Sequence, residues 1–371
     1  MDLKKLSVLT ALLLLTMTSY SWAVEDEYFT PFWEFYSDNH LSLNAAGRGY
    51  AGVAEAGDLT LANMNPASIA GSGNGWAAAA VYKTRMPWLK DVVDNIYLEN
   101  NVPSLFFGGC RQLGTAVTVG LIYSDCYSYT LDFGEVVYTG TSGEDLGTVD
   151  SYDHIRISRI SLPIAFRAAP AFAVGLDLGG NWTHRKTSGF IKNTVDLFTL
   201  VPKLGFIVGP VSGFSFGISA TPQSSIKYDY QYEFWDISHI EHYTNNYPGR
   251  LAAGFKFQGP NTNYYLDLNY VNTGINDNQI DRRDFNLGAE HRRGIWVYRA
   301  GLFSVMDYRN PEIEWLNEVG HDSQYYLTAG IEKTDGQVKY AVNIMDSHLL
   351  SPGDFQTTKI QAGLKYSFKN N

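Results

Sequence analysis

The chain has 371 residues, a formal net charge of −10 and only 18% charged residues, yet it carries 25 Tyr, 20 Phe, 8 Trp and 35 Gly. The acidic balance argues against nucleic-acid binding, which needs a basic face, and a soluble domain this aromatic and glycine-rich would be unusual. Two cysteines, Cys110 and Cys126, are too few for a disulfide framework in a chain of this length.

The first 23 residues read as a secretory signal peptide. Lys4 and Lys5 form its positive end, Leu6 to Met17 its apolar core, and Ser21-Trp22-Ala23 a small-x-small cleavage site. The core is too short to span a bilayer, and Val24 follows it rather than a lipidation cysteine. Export across the inner membrane of a bacterium is the expectation. Beyond this segment no apolar run is long enough for a transmembrane helix.

Residues 24–74 have a character of their own. An aromatic run, Tyr28 to Tyr36, precedes a glycine- and alanine-rich stretch and then Asn63-Met64-Asn65-Pro66-Ala67. Within it GRGYAG, Gly47 to Gly52, has the G-x-G-x-x-G spacing of a dinucleotide loop. That fingerprint needs an apolar strand before it and an acidic residue about 20 positions on. SDNHLSLNAA is no such strand, and no acid follows Asp58 until Asp91. No cofactor is expected. Small residues instead suit a backbone packed tightly in a confined space, and Asn65-Pro66 reads as a turn.

From Gly75 onward the pattern has period 2. In KIQAGLKYSF, Ile360, Ala362, Leu364, Tyr366 and Phe368 share one face, and Gln361, Gly363, Lys365 and Ser367 the other. Such segments predict strands near 75–85, 102–109, 114–124, 153–168, 171–184, 199–209, 213–222, 249–258, 263–271, 284–291, 294–304, 325–333, 337–345 and 358–368. Short connections (CRQL, AP, PVS, GPNT, RR, KTDG) alternate with long ones all the way round. Short turns on one side and long loops on the other are the mark of a bacterial outer-membrane barrel, and lipid forbids open sheet edges. An all-β, 14-stranded antiparallel transmembrane β-barrel is predicted, with 75–371 as the barrel and 24–74 as a plug in its lumen. On this strand map Cys110 and Cys126 fall at opposite ends of one strand, out of disulfide reach, so two free thiols are expected.

Nine glycines (120, 175, 205, 217, 254, 288, 301, 330 and 363) fall on the lumen-facing side of these strands. They either relieve barrel curvature or keep the inner wall smooth for an inserted segment.

The run AGRGYAGVAEAGDLTLANMNPASIAG resembles the N-terminal signature of the FadL/TodX family of outer-membrane transporters for hydrophobic compounds. The matching positions are Gly47, Gly49, Gly52, Ala56, Gly57, Asp58 and Asn65-Pro66-Ala67. The resemblance implies a hatch inside a fourteen-strand barrel. It also implies capture at the extracellular loops, movement of the hatch and lateral exit between strands into the bilayer. The chain is shorter than the family's fatty-acid transporters. It is nearer in length to relatives that act in protein secretion or have no assigned substrate.

Two functions follow as alternatives: passage of hydrophobic small molecules such as long-chain fatty acids or hydrocarbons, or a structural or carrier subunit binding secretion-apparatus proteins. For the first, loop one (MPWLKDVVDNIYLENN) places Trp88, Leu89, Val92, Val93 and Ile96 on one apolar side of a short helix, against the plainer reading of a loop helix packed on its neighbours. Arg250, Lys256, Arg299, Lys339 and Lys365 face inward, as do Asp267, Glu290 and Glu332. Arg250 and Arg299 are candidate partners for a ligand carboxylate, although structural ion pairing explains such a set more simply. No enzyme is expected: the histidines fall mostly in loops, and the spacing of His239, Glu241 and His242 fits no zinc motif. The bilayer and a hydrophobic ligand are the expected partners of a monomer.

Overall fold

The computed structural model describes residues 41–84, 86–87, 97–99, 102–139, 145–189, 191–234, 237–275, 279–308, 310, 312, 323–351 and 356–368. The signal peptide and the aromatic run at 28–36 lie outside these residues.

Fourteen antiparallel strands close into one barrel. They are β1 (Gly75–Lys83), β2 (Ser104–Leu113), β3 (Val117–Thr139), β4 (Asp145–Ser161 and Pro163–Ala169), β5 (Phe172–Asp177 and Gly180–Ser188), β6 (Ile191–Leu200 and Lys203–Val211) and β7 (Phe214–Thr221 and Ser224–Phe234). The second half comprises β8 (Ile237–Tyr247 and Arg250–Gln258), β9 (Thr262–Val271), β10 (Arg282–Arg293), β11 (Trp296–Val305), β12 (Gln324–Asp335), β13 (Val338–Asp346) and β14 (Thr358–Ser367). Closure is made by β1 against β14, from Gly75↔Ser367 to Lys83↔Lys359. Each strand alternates faces as its period-2 sequence requires: in β1, Ala77, Ala79 and Val81 are buried while Tyr82 is exposed. Leu121, Leu178, Phe198, Leu200, Leu251, Leu268 and Ile344 form an exposed apolar belt on the outside, a surface suited to lipid rather than water. Near the short-turn end, Trp76 stacks on Tyr366 at 6.2 Å and Phe214 meets Phe257 at 4.9 Å, as in an interfacial aromatic girdle.

Several boundaries differ from the sequence expectation. CRQL is not the first short turn. β2 runs through it to Leu113, and the chain reverses at Gly114, whose φ of 68° suits glycine. Cys110 and Cys126 therefore sit on adjacent strands, β2 and β3, and remain free thiols. The stretches expected as long loops at 125–152, 185–198 and 223–248 are largely strand, continuing upward as tall hairpins. Their outer faces are polar, so the one-sided apolar pattern that marks a membrane strand is missing there.

β4 to β8 are each broken along one level, at 162, 178–179, 201–202, 222–223 and 248–249. Pro163, Pro202, Pro222 and Pro248 stand at four of these breaks, where proline removes a ladder donor. Asp177 replaces the missing ladder bonds. Its carboxylate accepts from the Leu162 N–H at 3.0 Å, from Ser161 Oγ at 3.0 Å and from Arg159 Nη2 at 2.6 Å, and Arg159 also donates to the Val201 carbonyl at 2.7 Å.

Inside the ring lie residues 41–74, folded as a helical turn α1 (Leu43–Ala46) and two 3₁₀ turns (Leu59–Leu61 and Pro66–Ile69). All nine lumen-facing glycines meet this segment. A Cβ on Gly175 would run into Pro66 and Ala67, on Gly205 into Asn65, on Gly217 or Gly254 into Val53 and Ala54, on Gly288 or Gly301 into Arg48, and on Gly330 into Gly47; Cβ atoms on Gly120 and Gly363 would touch Ile69 and Leu43. The smooth inner wall is thus the seat of the segment.

Substituting Gly175 by Leu should displace residues 66–67 and expose the segment to protease. Gly109→Ala, whose Cβ would meet nothing closer than 3.5 Å, should leave proteolysis and heat-modifiable gel migration unchanged.

Candidate functional site

The lumenal segment is held by polar contacts and close packing along its motif. Asn65 caps the second 3₁₀ turn by accepting from the Ala67 N–H at 3.0 Å, with Pro66 at the position where a missing N–H costs nothing. Its amide donates to the Val53 carbonyl at 2.8 Å and to the wall carbonyls of Phe206 at 3.2 Å and Ile218 at 3.4 Å. Gly47 abuts Gly330, and Gly49, with φ of 66°, donates its N–H to Thr328 Oγ1 at 2.8 Å. The N–H groups of Gly52 and Val53 both point at Asp267 Oδ2, at 2.6 and 3.0 Å.

Charge completes the anchorage. Arg48 is fully buried, paired with Glu55 and with Glu290 at 3.4 Å, and lies 3.9 Å from the Tyr265 ring centroid. Lys256 reaches Glu55 at 3.0 Å. Arg299 pairs with Glu290 at 2.9 Å and Glu332 at 2.8 Å and donates to Asn44 at 3.0 Å, so this inward cation is committed to the network. Asp58 takes Lys365 at 3.2 Å, Asn44 Nδ2 at 2.5 Å and the Thr60 N–H at 3.0 Å. Burial pushes the Asp58 carboxyl up, but Lys365 and the Thr60 N–H outweigh it and hold it down at about 2. Burial likewise opposes ionisation of Glu55, and Arg48 and Lys256 overcome it.

Above the segment the lumen opens into a cavity of about 330 Å³, at the small end of the ~300–1,000 Å³ usual for small-molecule sites. Its floor is the segment itself, through Leu41, Tyr50, Val53, Asn63 and Met64. Its walls are apolar at Ile155, Ile157, Val195, Leu197, Phe303 and Val305 and cationic at Arg159, Arg185, Lys203, Arg250 and Arg282. Three of these cations are matched: Arg159 with Asp177 at 2.6 Å, Arg185 with Asp153 at 2.8 Å and Arg282 with Asp284 at 2.5 Å. Of the two sequence-nominated cations, Arg250 lines the cavity and Arg299 does not. The loop-one residues Trp88, Leu89, Val92, Val93 and Ile96 lie outside the described residues. Arg159, Arg185 and Lys203 were not picked out by sequence. The breaks that place Arg159 and Lys203 at the cavity have a legible cue only in Pro163 and Pro202.

The wall beside the cavity is open. The lower pieces of β6 and β7 pair from Leu204↔Ala220 downward, but the upper pieces pair only at Ile191↔Phe234 and Lys192↔Glu233. Between these points no ladder pair joins residues 193–203 to residues 221–232 among the described residues. This leaves a window, closed above and below. Val195, Leu197 and Val201 on its β6 edge line the cavity, and Phe198 and Leu200 on the same edge belong to the outer apolar belt.

No protein-family model and no curated protein matches the chain. Solved structures do. The Ralstonia pickettii toluene transporter TbuX is 13% identical over 87% of this chain and 97% of its own, with a TM-score of 0.65. A Pseudomonas aeruginosa FadL homologue is 10% identical over 90% of this chain and 99% of its own, with a TM-score of 0.64. The CymD monoaromatic hydrocarbon channel is 16% identical over 89% and 98%, with a TM-score of 0.58. The shared fold is the FadL/TodX-type barrel.

The depressed Asp58 value gives a signed pH dependence. Its contribution is complete above the ordinary carboxylate range near 4 and is lost as pH falls towards 2. Asp58→Asn should weaken docking of the segment by roughly 2 kcal/mol at neutral pH, read as faster proteolysis within 41–74. The variant should also loosen less on acidification than the parent.

Proposed function

We propose that this protein is a bacterial outer-membrane channel for hydrophobic small molecules, taking them from the medium through a barrel whose lumen is occupied by residues 41–74. The observation that carries the reading is the cavity between that segment and the wall, apolar on several sides and bordered by the window between β6 and β7. Proteins with this fold include a toluene transporter and a monoaromatic hydrocarbon channel, which supports the same broad class here. Long-chain fatty acids and hydrocarbons are the candidate cargoes.

The route follows from the architecture. A molecule held in the cavity touches Val53, Asn63 and Met64, so binding and the position of the segment are coupled by direct contact. Downward passage is closed by the segment. Sideways, the window offers a path from cavity to outer belt without breaking a ladder bond. Its unpaired backbone N–H and C=O groups would be costly if they faced only hydrocarbon, and the lumen supplies the polar environment they need. A carrier of protein partners would want a wide lumen; here the segment and its polar anchors fill it. The hatch role itself falls to the motif residues Gly47, Gly49, Gly52, Asp58, Asn65, Pro66 and Ala67, which seat the segment.

Two measurements test this. Native mass spectrometry on protein gently extracted from outer membranes should release a bound hydrophobic molecule; an empty lumen with a stoichiometric protein partner would refute the reading. In cells, Leu197→Trp should narrow the cavity and lower uptake of labelled hydrophobic substrate, while heat-modifiable migration stays normal.

A further inference from the structure

The outer wall carries charge unevenly at its short-turn end. Over β4 to β8 exposed outward positions there are apolar, as at Phe166, Phe172, Val208, Phe214 and Phe257. Over β10 to β12 they are basic and aromatic. The ladder sets Arg293, Trp296, Lys333 and Tyr340 in one row across four strands. In the next row towards the membrane centre stand Thr262, His291, Tyr298 and Ile331. Both rows face outwards, because the alternate residues Glu290, Val297 and Glu332 are buried. Lys333 Nζ lies 6.0 Å from the Trp296 ring centroid, and His291 Nδ1 meets Thr262 Oγ1 at 2.9 Å. Arg293 and Lys333 flank the indole two strand spacings apart, roughly 10 Å. The inward carboxylates Glu290 and Glu332 are engaged by Arg299 on the other face of the sheet. Asp335, the outward carboxylate of this stretch, stands beyond Lys333 at the end of β12.

This is the composition of a headgroup site rather than of a plain lipid-facing wall. Indole and phenol rings settle where hydrocarbon gives way to water. Arg and Lys lay their stems along such a surface and present the charge at its edge, where a phosphate accepts charge-assisted hydrogen bonds from both. The turn at Gly294 joins β10 to β11, so the row stands at the short-turn end, the periplasmic one in barrels of this kind. The lipid leaflet at that level is made of glycerophospholipids. We propose that Arg293, Trp296, Lys333 and His291 form a binding site for one anionic glycerophospholipid of the periplasmic leaflet, its phosphate held between the two cations. A zwitterionic headgroup brings its own cation to the same place and gains less. The attraction is local, since the chain as a whole carries a net charge of −10. From the phosphate, the fatty chains run towards the membrane centre over Ala289, Ala300 and Ala329, which share one outward row between Tyr264 and Ile344. The site lies outside the barrel and is independent of what the lumen carries.

The test offers dioleoyl phosphatidylglycerol, dioleoyl phosphatidylcholine and lipid A to the purified barrel in a non-ionic detergent and reads retained lipid by native mass spectrometry. Phosphatidylglycerol should be retained as one molecule per barrel, about tenfold in preference to phosphatidylcholine, the scale of two cations at an anionic lipid surface. Arg293→Gln with Lys333→Gln should abolish that preference while heat-modifiable migration stays normal. Arg283→Gln, which removes an exposed cation from the opposite end of β10, should keep it. Excess glycerol phosphate should fail to displace the lipid. Equal retention of the two dioleoyl lipids, or a preference that survives the double substitution, overturns the site. Displacement by glycerol phosphate shows a bare anion contact and overturns the lipid assignment. Retention of lipid A in preference to phosphatidylglycerol, lost in the double variant, overturns the choice of leaflet.

Discussion

Everything in this molecule depends on a steric agreement between the inner wall and the chain folded inside it. Nine wall positions lack a side chain; at seven of them a Cβ would come closer than 3.0 Å to residues 41–74, at Gly330 it would stand 3.0 Å from Gly47, and at Gly120 it would only touch Ile69. Glycine weakens a strand, so this is a local cost. It is offset by backbone-to-backbone proximity that lets Asn65 reach the carbonyls of β6 and β7, and lets Asp267 collect two N–H groups from the segment. The ion pairs around Arg48, Arg299 and Asp58 follow from that approach. They are buried because the segment is seated, and they hold because each charge has an opposite one in reach.

The second organising feature is the line of breaks through β4 to β8. Prolines remove ladder donors at one level, and Asp177 with Arg159 substitutes side-chain bonds for the lost backbone ones. Above this level the strands continue as tall hairpins, and between β6 and β7 they separate. The cavity lies against the separated strands, so Lys203, Arg250 and the opening in the wall share one neighbourhood.

Much of the fold was legible in the sequence because a membrane barrel writes its faces as strict alternation. Ile360, Ala362 and Leu364 against Gln361, Gly363 and Lys365 state both lipid and lumen. The nine lumen glycines could be assigned by the same parity, and Asn65-Pro66-Ala67 announced a turn. The membrane pattern fails where the outer face turns polar, even with Tyr127, Tyr129 and Leu131 buried on the inner face, so Val117–Thr139 was read as ending near 124, and the hairpin of β7 and β8 was read as loop. The candidate site was less visible. Arg250 could be given a direction, but whether a lumen cation is matched depends on neighbours fixed by register, and Arg299 and Arg250 look alike until Glu290 and Glu332 are placed. The break at Asp177 is a long-range substitution for ladder bonds and has no local signature beyond the prolines.

The depth at which Arg48 is buried bears on how the segment can move. Its guanidinium is enclosed by the segment and by β9 and β10, and the Gly49 backbone lies between residues of β10 and β11. A displacement of residues 47–53 from the wall would therefore strip a buried guanidinium of Glu290 and of the Tyr265 ring together, the costly case of a buried charge left without its partner. Whatever moves this stretch has to supply a new environment for that one charge.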